Sequence, residues 1–228
     1  MAERVVLAVD VGGSHVKALT SNRQERRRFA SGPSLTAEEM VAGTLAAVAD
    51  WTWSRVTVGI PAPVRGGKVI SEPLNLGDGW VGFDYEAAFG KPTQIVNDAV
   101  MQAVGSYRGG RMLFLGLGTG LGSALISDGV IEPLELGHLP FRKKTFEDYV
   151  GERGLEKHGK KKWTKDVFAT VQQLSAAMEP DEIVLGGGGV DELEELPDGC
   201  RRGENENAFL GGFRLWDPDW FAHLTTET

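Results

Sequence analysis

Apolar residues fall into short runs bounded by glycine or proline, with helix-spaced stripes between them, which is the rhythm of an α/β chain. Residues 4–11 form a β-branched run, 16–21 read as a second strand and 26–31 as a third. Thr36 opens a helix, with Glu39 completing a capping box and Met40, Leu45, Val48 and Trp51 supplying an apolar stripe. A buried-type strand at 55–60 ends at Pro61 and Pro63. Gly66, Gly67, Pro73, Asn75, Gly77 and Gly79 then mark a looped region before a short helix at 84–89 and a strand at 94–96.

That strand delivers Asn97 and Asp98, and 99–107 has helical spacing. Asp98 therefore stands where a strand gives way to a helix, the place where α/β folds put their chemistry, or it simply caps the helix. The order strand, strand, strand, helix, strand resembles a ribonuclease H-like half-domain. Residues 113–126, LFLGLGTGLGSALI, read as strand, glycine turn, strand. Beyond them, 146–158 and 164–178 read as helices, the second with Val167, Val171, Leu174 and Met178 on one face. A strand at 182–185 runs into four glycines, 186–189, and 190–196 looks helical. From Pro197 the pattern weakens into turns, 207–216 show no clear periodicity, and the last dozen residues read as a tail.

The 228 residues are enough to bury a core as one large domain or two small ones. The longest uncharged stretch, 112–127, is too short and too glycine-rich for a membrane span, and the N-terminus enters a strand at once, so a cytoplasmic protein is expected. Cys200 is the single cysteine, which excludes an intrachain disulfide and a cysteine-rich metal site. A formal charge of -8 argues against general nucleic-acid binding.

Charge is unevenly distributed. Residues 142–165 carry nine basic and four acidic side chains, a local +5, while the rest of the chain stands at -13. Lys160, Lys161 and Lys162 are the centre of this segment, which reads either as a track for a polyanion or as a solvated helix end.

Candidate chemistry gathers at the glycines. Residues without Cβ let several backbone N–H groups converge on one anion, so Gly118, Thr119 and Gly120, with Gly116 and Gly122, form a candidate phosphate cradle or a turn chosen for geometry alone. Asp10-Val11-Gly12-Gly13-Ser14-His15-Val16-Lys17 is a second such turn, with a carboxylate at its mouth that can hold a hydrated Mg²⁺ beside phosphates. Glu135 and His138, in ELGH, are either ligands for a polyol or surface residues.

Three strand-linked glycine turns, an aspartate leading the first, and Asn97-Asp98 at a strand end resemble the ROK family of sugar kinases over about 5–190. The resemblance implies an α/β fold of two ribonuclease H-like domains of the actin/hexokinase/heat-shock ATPase superfamily, at 1–97 and 98–228, with a cleft between them. It makes DVGGSHVK the first phosphate motif (Asp10, Gly12, Gly13, Ser14, Lys17), although threonine usually stands where Ser14 does. LGLGTGLG becomes the second motif, and the glycines at 186–189 an adenosine-side turn. It makes Asp98 the catalytic base and Asn97, Glu135, His138 and Glu156 the sugar ligands. Many family members follow ELGH with a zinc-binding cysteine cluster. Here 141–159 contain no cysteine, so the resemblance implies Mg²⁺ without zinc. That departure, the compact length and KTFEDYVG look most like the polyphosphate glucokinase branch. Its implied substrates are glucose and polyphosphate or ATP, and its implied assembly is a homodimer.

Other classes compete. A non-catalytic sugar sensor of the same family would carry a DNA-binding module ahead of the first glycine motif, where nine residues precede Asp10 here. An ATP-only kinase of another hexose shares every motif named. A domain-moving ATPase of the superfamily has no use for a polyol site.

Overall fold

In the computed structural model, residues 4–204, 206–217 and 219–220 are described. They divide into two compact units, the described residues of 1–105 with 208–217, and of 106–207 with 219–220. The first unit runs on to Gly105 instead of stopping at Asn97, and it takes in a late segment of the chain.

The first unit is built on β1 (Val6–Val11), β2 (His15–Thr20), β3 (Arg27–Ala30), α1 (Ala37–Ala47), β4 (Arg55–Ile60), β5 (Val64–Arg65), β6 (Lys68–Val69), α2 (Tyr85–Phe89), β7 (Thr93–Asn97) and α3 (Asp98–Ser106). Thr36 caps α1 with Glu39 in the expected capping box. The helix stops at Ala47, and Trp51 joins the same core from beyond its end. One five-stranded sheet has the order β3-β2-β1-β4-β7. The first three strands pair antiparallel, whereas β1, β4 and β7 run parallel with Asp10 opposite Gly59 and Ile60 opposite Asn97. Parallel pairing brings the C-terminal ends of β1 and β7, and with them Asp10 and Asn97, to the same end of the sheet.

The second unit repeats that order. It contains β8 (Arg111–Leu117), β9 (Leu121–Ser127), β10 (Val130–Leu134), a 3-10 turn (Leu136–His138), β11 (Pro140–Phe141), β12 (Lys144–Thr145), α4 (Phe146–Val150), α5 (Glu152–His158), α6 (Lys160–Met178), β13 (Glu182–Gly186), a second 3-10 turn (Gly188–Glu192) and β14 (Cys200–Arg202). Its sheet runs β10-β9-β8-β13-β14, antiparallel on one side of β8 and parallel on the other. The chain then forms α7 (Asn207–Arg214), which packs with the first unit. Each unit has its own apolar core, one around Leu7, Val9, Val58 and Trp80, the other around Leu113, Leu115, Trp163 and Leu185.

Four expectations are corrected. Residues 146–158 are two helices, because the backbone at Gly151 is extended; a Cβ there would stand 2.6 Å from the Thr119 carbonyl oxygen, so the break takes a glycine. The long helix starts at Lys160 rather than at 164. Residues 190–196 do not form an α-helix, since the 3-10 turn ends at Glu192. The stretch after Pro197 holds β14 and α7, which lack local signals: β14 exists through pairing with β13, and α7 carries two buried glycines where a helix former is expected. Of the expected tail, 221–228 lie outside the described residues.

Candidate functional site

In the first unit, a four-residue turn joins β1 to β2, closed by Gly12 N–H donating to the His15 carbonyl (3.0 Å). A Cβ on Gly12 would lie 3.2 Å from that same oxygen, so the tight turn favours glycine. Gly13 and Ser14 face solvent. Ser31, just past β3, braces the turn, its hydroxyl donating to the Gly12 carbonyl (2.5 Å) and its N–H to the Ser14 carbonyl (3.0 Å). Asp10 is only 13% exposed at its side chain and pairs with Lys17, its register partner on β2, at 3.5 Å. Burial pushes the Asp10 carboxyl up, against the pull of the Lys17 ammonium and its hydrogen bond.

Asn97 and Asp98 divide the work at the end of β7. The Asn97 side-chain oxygen accepts from the N–H groups of Ala99 (2.9 Å) and Val100 (3.3 Å), and its amide donates to the Ala62 carbonyl (3.2 Å). Asn97 thereby caps α3 and is tied to the end of β4. Asp98 Oδ1 accepts from Ala99 N–H at 2.8 Å. Gly59, beside this corner, has no room for a side chain: a Cβ would lie 2.6 Å from Met101 Cε and 3.4 Å from the Asp98 Cα. A glycine in this interior strand lets the first turn of α3 close onto the sheet.

In the second unit, Gly118 N–H donates to the Gly120 carbonyl (3.2 Å), and Gly118 and Thr119 are exposed at the tip of the β8–β9 hairpin. Glu152 N–H, first in α5, donates to the Gly118 carbonyl (2.9 Å) and pins the hairpin to that helix. The four-glycine turn lies alongside, since Gly186 is in register with Gly116. Gly187 (φ +80°) approaches so closely that a Cβ would stand 2.3 Å from the Leu117 carbonyl oxygen. Both glycine turns thus crown the C-terminal ends of adjacent parallel strands.

Glu135 leads the first 3-10 turn, and its carbonyl accepts from His138 N–H (3.2 Å). Both residues are exposed, yet desolvation of the Glu135 carboxyl raises its pKa, His138 opposing and Glu147 reinforcing the shift. Glu147 on α4 is the residue the sequence reading missed. Its carboxylate lies 3.8 Å from His138 Nε2, and a Cβ on Gly120 would be 2.7 Å from its Oε2. It therefore joins Glu135, His138 and the glycine hairpin in one group. Glu156 lies exposed on α5. The break at Gly151 separates the two glutamates onto different helices, which a continuous helix over 146–158 would not have done.

The lysines at 160–162 do not form an uninterrupted track. Lys160 is 3.9 Å from Glu192 and 3.5 Å from Glu194, and Lys162 Nζ is 3.5 Å from His158 Nδ1. Lys161 and Lys165 line a cavity of about 600 Å³ whose wall includes Glu194 and Glu195. His158 is pushed down by desolvation and by Lys162 and Lys157, which favours its neutral form. No described helix is long and apolar enough to cross a membrane.

A metal at Asp10 would be held by one protein carboxylate. Among the described residues no three His, Cys, Asp or Glu side chains converge as an all-protein cage. A single, largely buried carboxylate suits a Mg²⁺ ion that keeps most of its water, and Asp10 fits that ion.

No family model matches the chain. It is 27% identical over 207 residues to the polyphosphate glucokinase of Mycobacterium tuberculosis, across 82% of this chain and 78% of that protein. It superimposes with a TM-score of 0.81 on the inorganic polyphosphate/ATP-glucomannokinase from Arthrobacter sp. strain KM, at 24% identity over 92% of this chain and 97% of the other. A ROK family glucokinase from Streptomyces griseus, solved with glucose and AMPPNP, gives a TM-score of 0.78 at 18% identity, covering 92% and 98%. The expected α/β fold is borne out: the chain shares the fold of these solved kinases. The resemblance to the ROK sugar kinases, polyphosphate glucokinase branch, is borne out by the same comparisons.

Proposed function

We propose that this chain, which stands with the ROK sugar kinases by sequence kinship and by fold, is a glucokinase moving a phosphoryl group from polyphosphate or ATP to the 6-hydroxyl of glucose. The observation that carries the reading is Asp98 at the head of α3, with Asn97 capping the helix beside it. A sugar hydroxyl loses its proton as it attacks phosphorus, and a carboxylate fixed by its own helix is the group to accept it. Asn97 holds that corner while offering its amide edge to the sugar. Glu135, His138 and Glu147 are the remaining hydroxyl ligands, with Glu147 taking the role that the resemblance had assigned to Glu156.

Backbone N–H groups of the two turns, Gly12-Gly13-Ser14 and Gly118-Thr119-Gly120, are the donors for the phosphoryl oxygens, and Lys17 adds a cation beside Asp10. Asp10 would hold a Mg²⁺ ion, which would supply charge neutralisation to the phosphoryl donor. Lys17, at 3.5 Å, opposes the upward push of burial on the Asp10 carboxyl. A cytoplasmic homodimer belongs to the same proposal, and sedimentation of the purified chain tests the assembly.

Side-by-side glucose phosphorylation with ATP and with polyphosphate, with and without Mg²⁺, tests the activity; no sugar-dependent donor consumption with either donor defeats the reading. Glu147→Gln should raise KM for glucose by roughly ten- to hundred-fold, as loss of a hydrogen bond to a charged group does. Glu156→Gln should leave it unchanged. The reverse ranking would return the ligand role to Glu156.

For the donor, the basic segment supports polyphosphate, but the acidic partners of Lys160 weaken its share. Replacing Lys160, Lys161 and Lys162 together with alanine should raise KM for long polyphosphate well above any change for ATP, and the wild-type polyphosphate affinity should fall steeply with salt. Equal effects on both donors would defeat the track.

A further inference from the structure

Arg142 stands in the two-residue turn between β11 and β12, with φ of +54°. A long side chain is costly there, and glycine or asparagine is the usual occupant. Its guanidinium reaches Asp166 on α6, Nη2 to Oδ1 at 2.5 Å. Asp166 is 1% exposed, and neither of its carboxylate oxygens has a hydrogen-bond partner of good geometry, so Arg142 is what compensates its charge. Two unfavourable features, a backbone conformation that disfavours arginine and a carboxylate removed from water, are thus joined in one contact.

The surroundings show what the contact holds. The 140–145 hairpin begins two residues after His138 and ends two residues before Glu147, and Phe146 N–H closes it on the Leu139 carbonyl (3.1 Å). Above the turn, the Arg142 guanidinium lies over the rings of Phe141 (5.0 Å) and Tyr149 (5.6 Å), and Phe141 stacks on Phe146 (4.8 Å). Tyr149 and Phe146 belong to α4, so arginine touches both the hairpin and the helix carrying Glu147. Thr145 and Asp148 form the capping box that starts this helix. At its other end Trp163 Nε1 donates to the Val150 carbonyl (2.8 Å). The N-terminal end, where Glu147 projects, has the hairpin as its support.

We propose that Arg142 and Asp166 are positioning residues for the acceptor site: their ion pair locks the hairpin onto α6 and holds Glu147 in reach of His138. The inference rests on the glucokinase reading above, through the sugar-binding role of Glu147. Neither residue touches substrate in this account; each acts through the helix start.

Three variants test it, by glucose calorimetry, steady-state kinetics and thermal melting. Arg142→Gly relaxes the turn and removes the bridge, Asp166→Asn keeps the shape and removes the charge, and the double variant Arg142→Gly with Asp166→Leu removes both charges. Both single variants should weaken glucose binding and raise its KM on the order of tenfold, while kcat stays within roughly threefold, as expected when geometry of binding and not chemistry is disturbed. The double variant should recover thermal stability, since no charge is left buried, yet keep the raised glucose KM. Melting changes with glucose Kd and KM unmoved, or a double variant that restores both, would make the pair structural only and overturn the inference. Failure of the wild type to bind glucose overturns both readings, whereas wild-type binding with unmoved variants overturns this one alone.

Discussion

Replacing Asp98 with asparagine should lower kcat by roughly two orders of magnitude or more, the range for removing a general base, while glucose binding largely survives. Asparagine retains an oxygen at the position of Oδ1, where Asp98 accepts from Ala99 N–H at 2.8 Å, so the start of α3 is preserved. Helix capping does not depend on the change, because Asn97 receives the N–H groups of Ala99 and Val100. What asparagine lacks is a site for the sugar's proton. Turnover and calorimetry should therefore diverge: a variant retaining more than about a tenth of wild-type kcat would remove Asp98 from the role of base.

Gly211→Ala should be among the most destabilising single-methyl additions available. A Cβ on Gly211 would stand 1.8 Å from the Met101 carbonyl oxygen and 2.8 Å from Gly105 N, both backbone atoms of α3. Gly212 is nearly as tight, 2.7 Å from Ala8 Cβ, and its carbonyl accepts the Thr57 hydroxyl at 2.8 Å. Backbone cannot rotate out of the way as a side-chain tip can, so α7 must lift from α3. Overpacking of this kind costs about 1–3 kcal/mol when side chains can adjust and more when they cannot. For a chain of this size, 3 kcal/mol lowers Tm by roughly 6–12 °C. Thermal melting would read the shift, and a Tm within about 2 °C of wild type would show that α7 does not need this approach. Because α3 begins at Asp98, a lifted α7 should also lower kcat in the surviving folded fraction.

Local chemistry was enough for much of the chain. Thr36 and Glu39 announce a helix start because a capping box involves only residues three apart, and it forms as read. Apolar runs ended by glycine or proline marked β1, β4 and β8 within a residue or two, since alternation and turn preference are properties of neighbouring residues. The placement of Asn97 and Asp98 at a strand-to-helix junction was legible for the same reason.

Tertiary structure alone decided which residues share a site. Sequence distance does not distinguish Glu147 from Glu156 as companion to His138; the extended backbone at Gly151 puts them on separate helices and leaves Glu147 beside His138, while the Thr119 carbonyl oxygen leaves room at 151 for glycine alone. The lysines at 160–162 read as a polyanion track or a solvated helix end, and only the fold sets Glu192 and Glu194, more than thirty residues away, against Lys160. Strand β14 exists because β13 offers it hydrogen bonds, and α7 persists despite two glycines because their missing side chains permit close packing on α3 and β1. Propensity is summed over neighbours in the chain, whereas burial, backbone approach and charge pairing are settled by residues that meet only after folding.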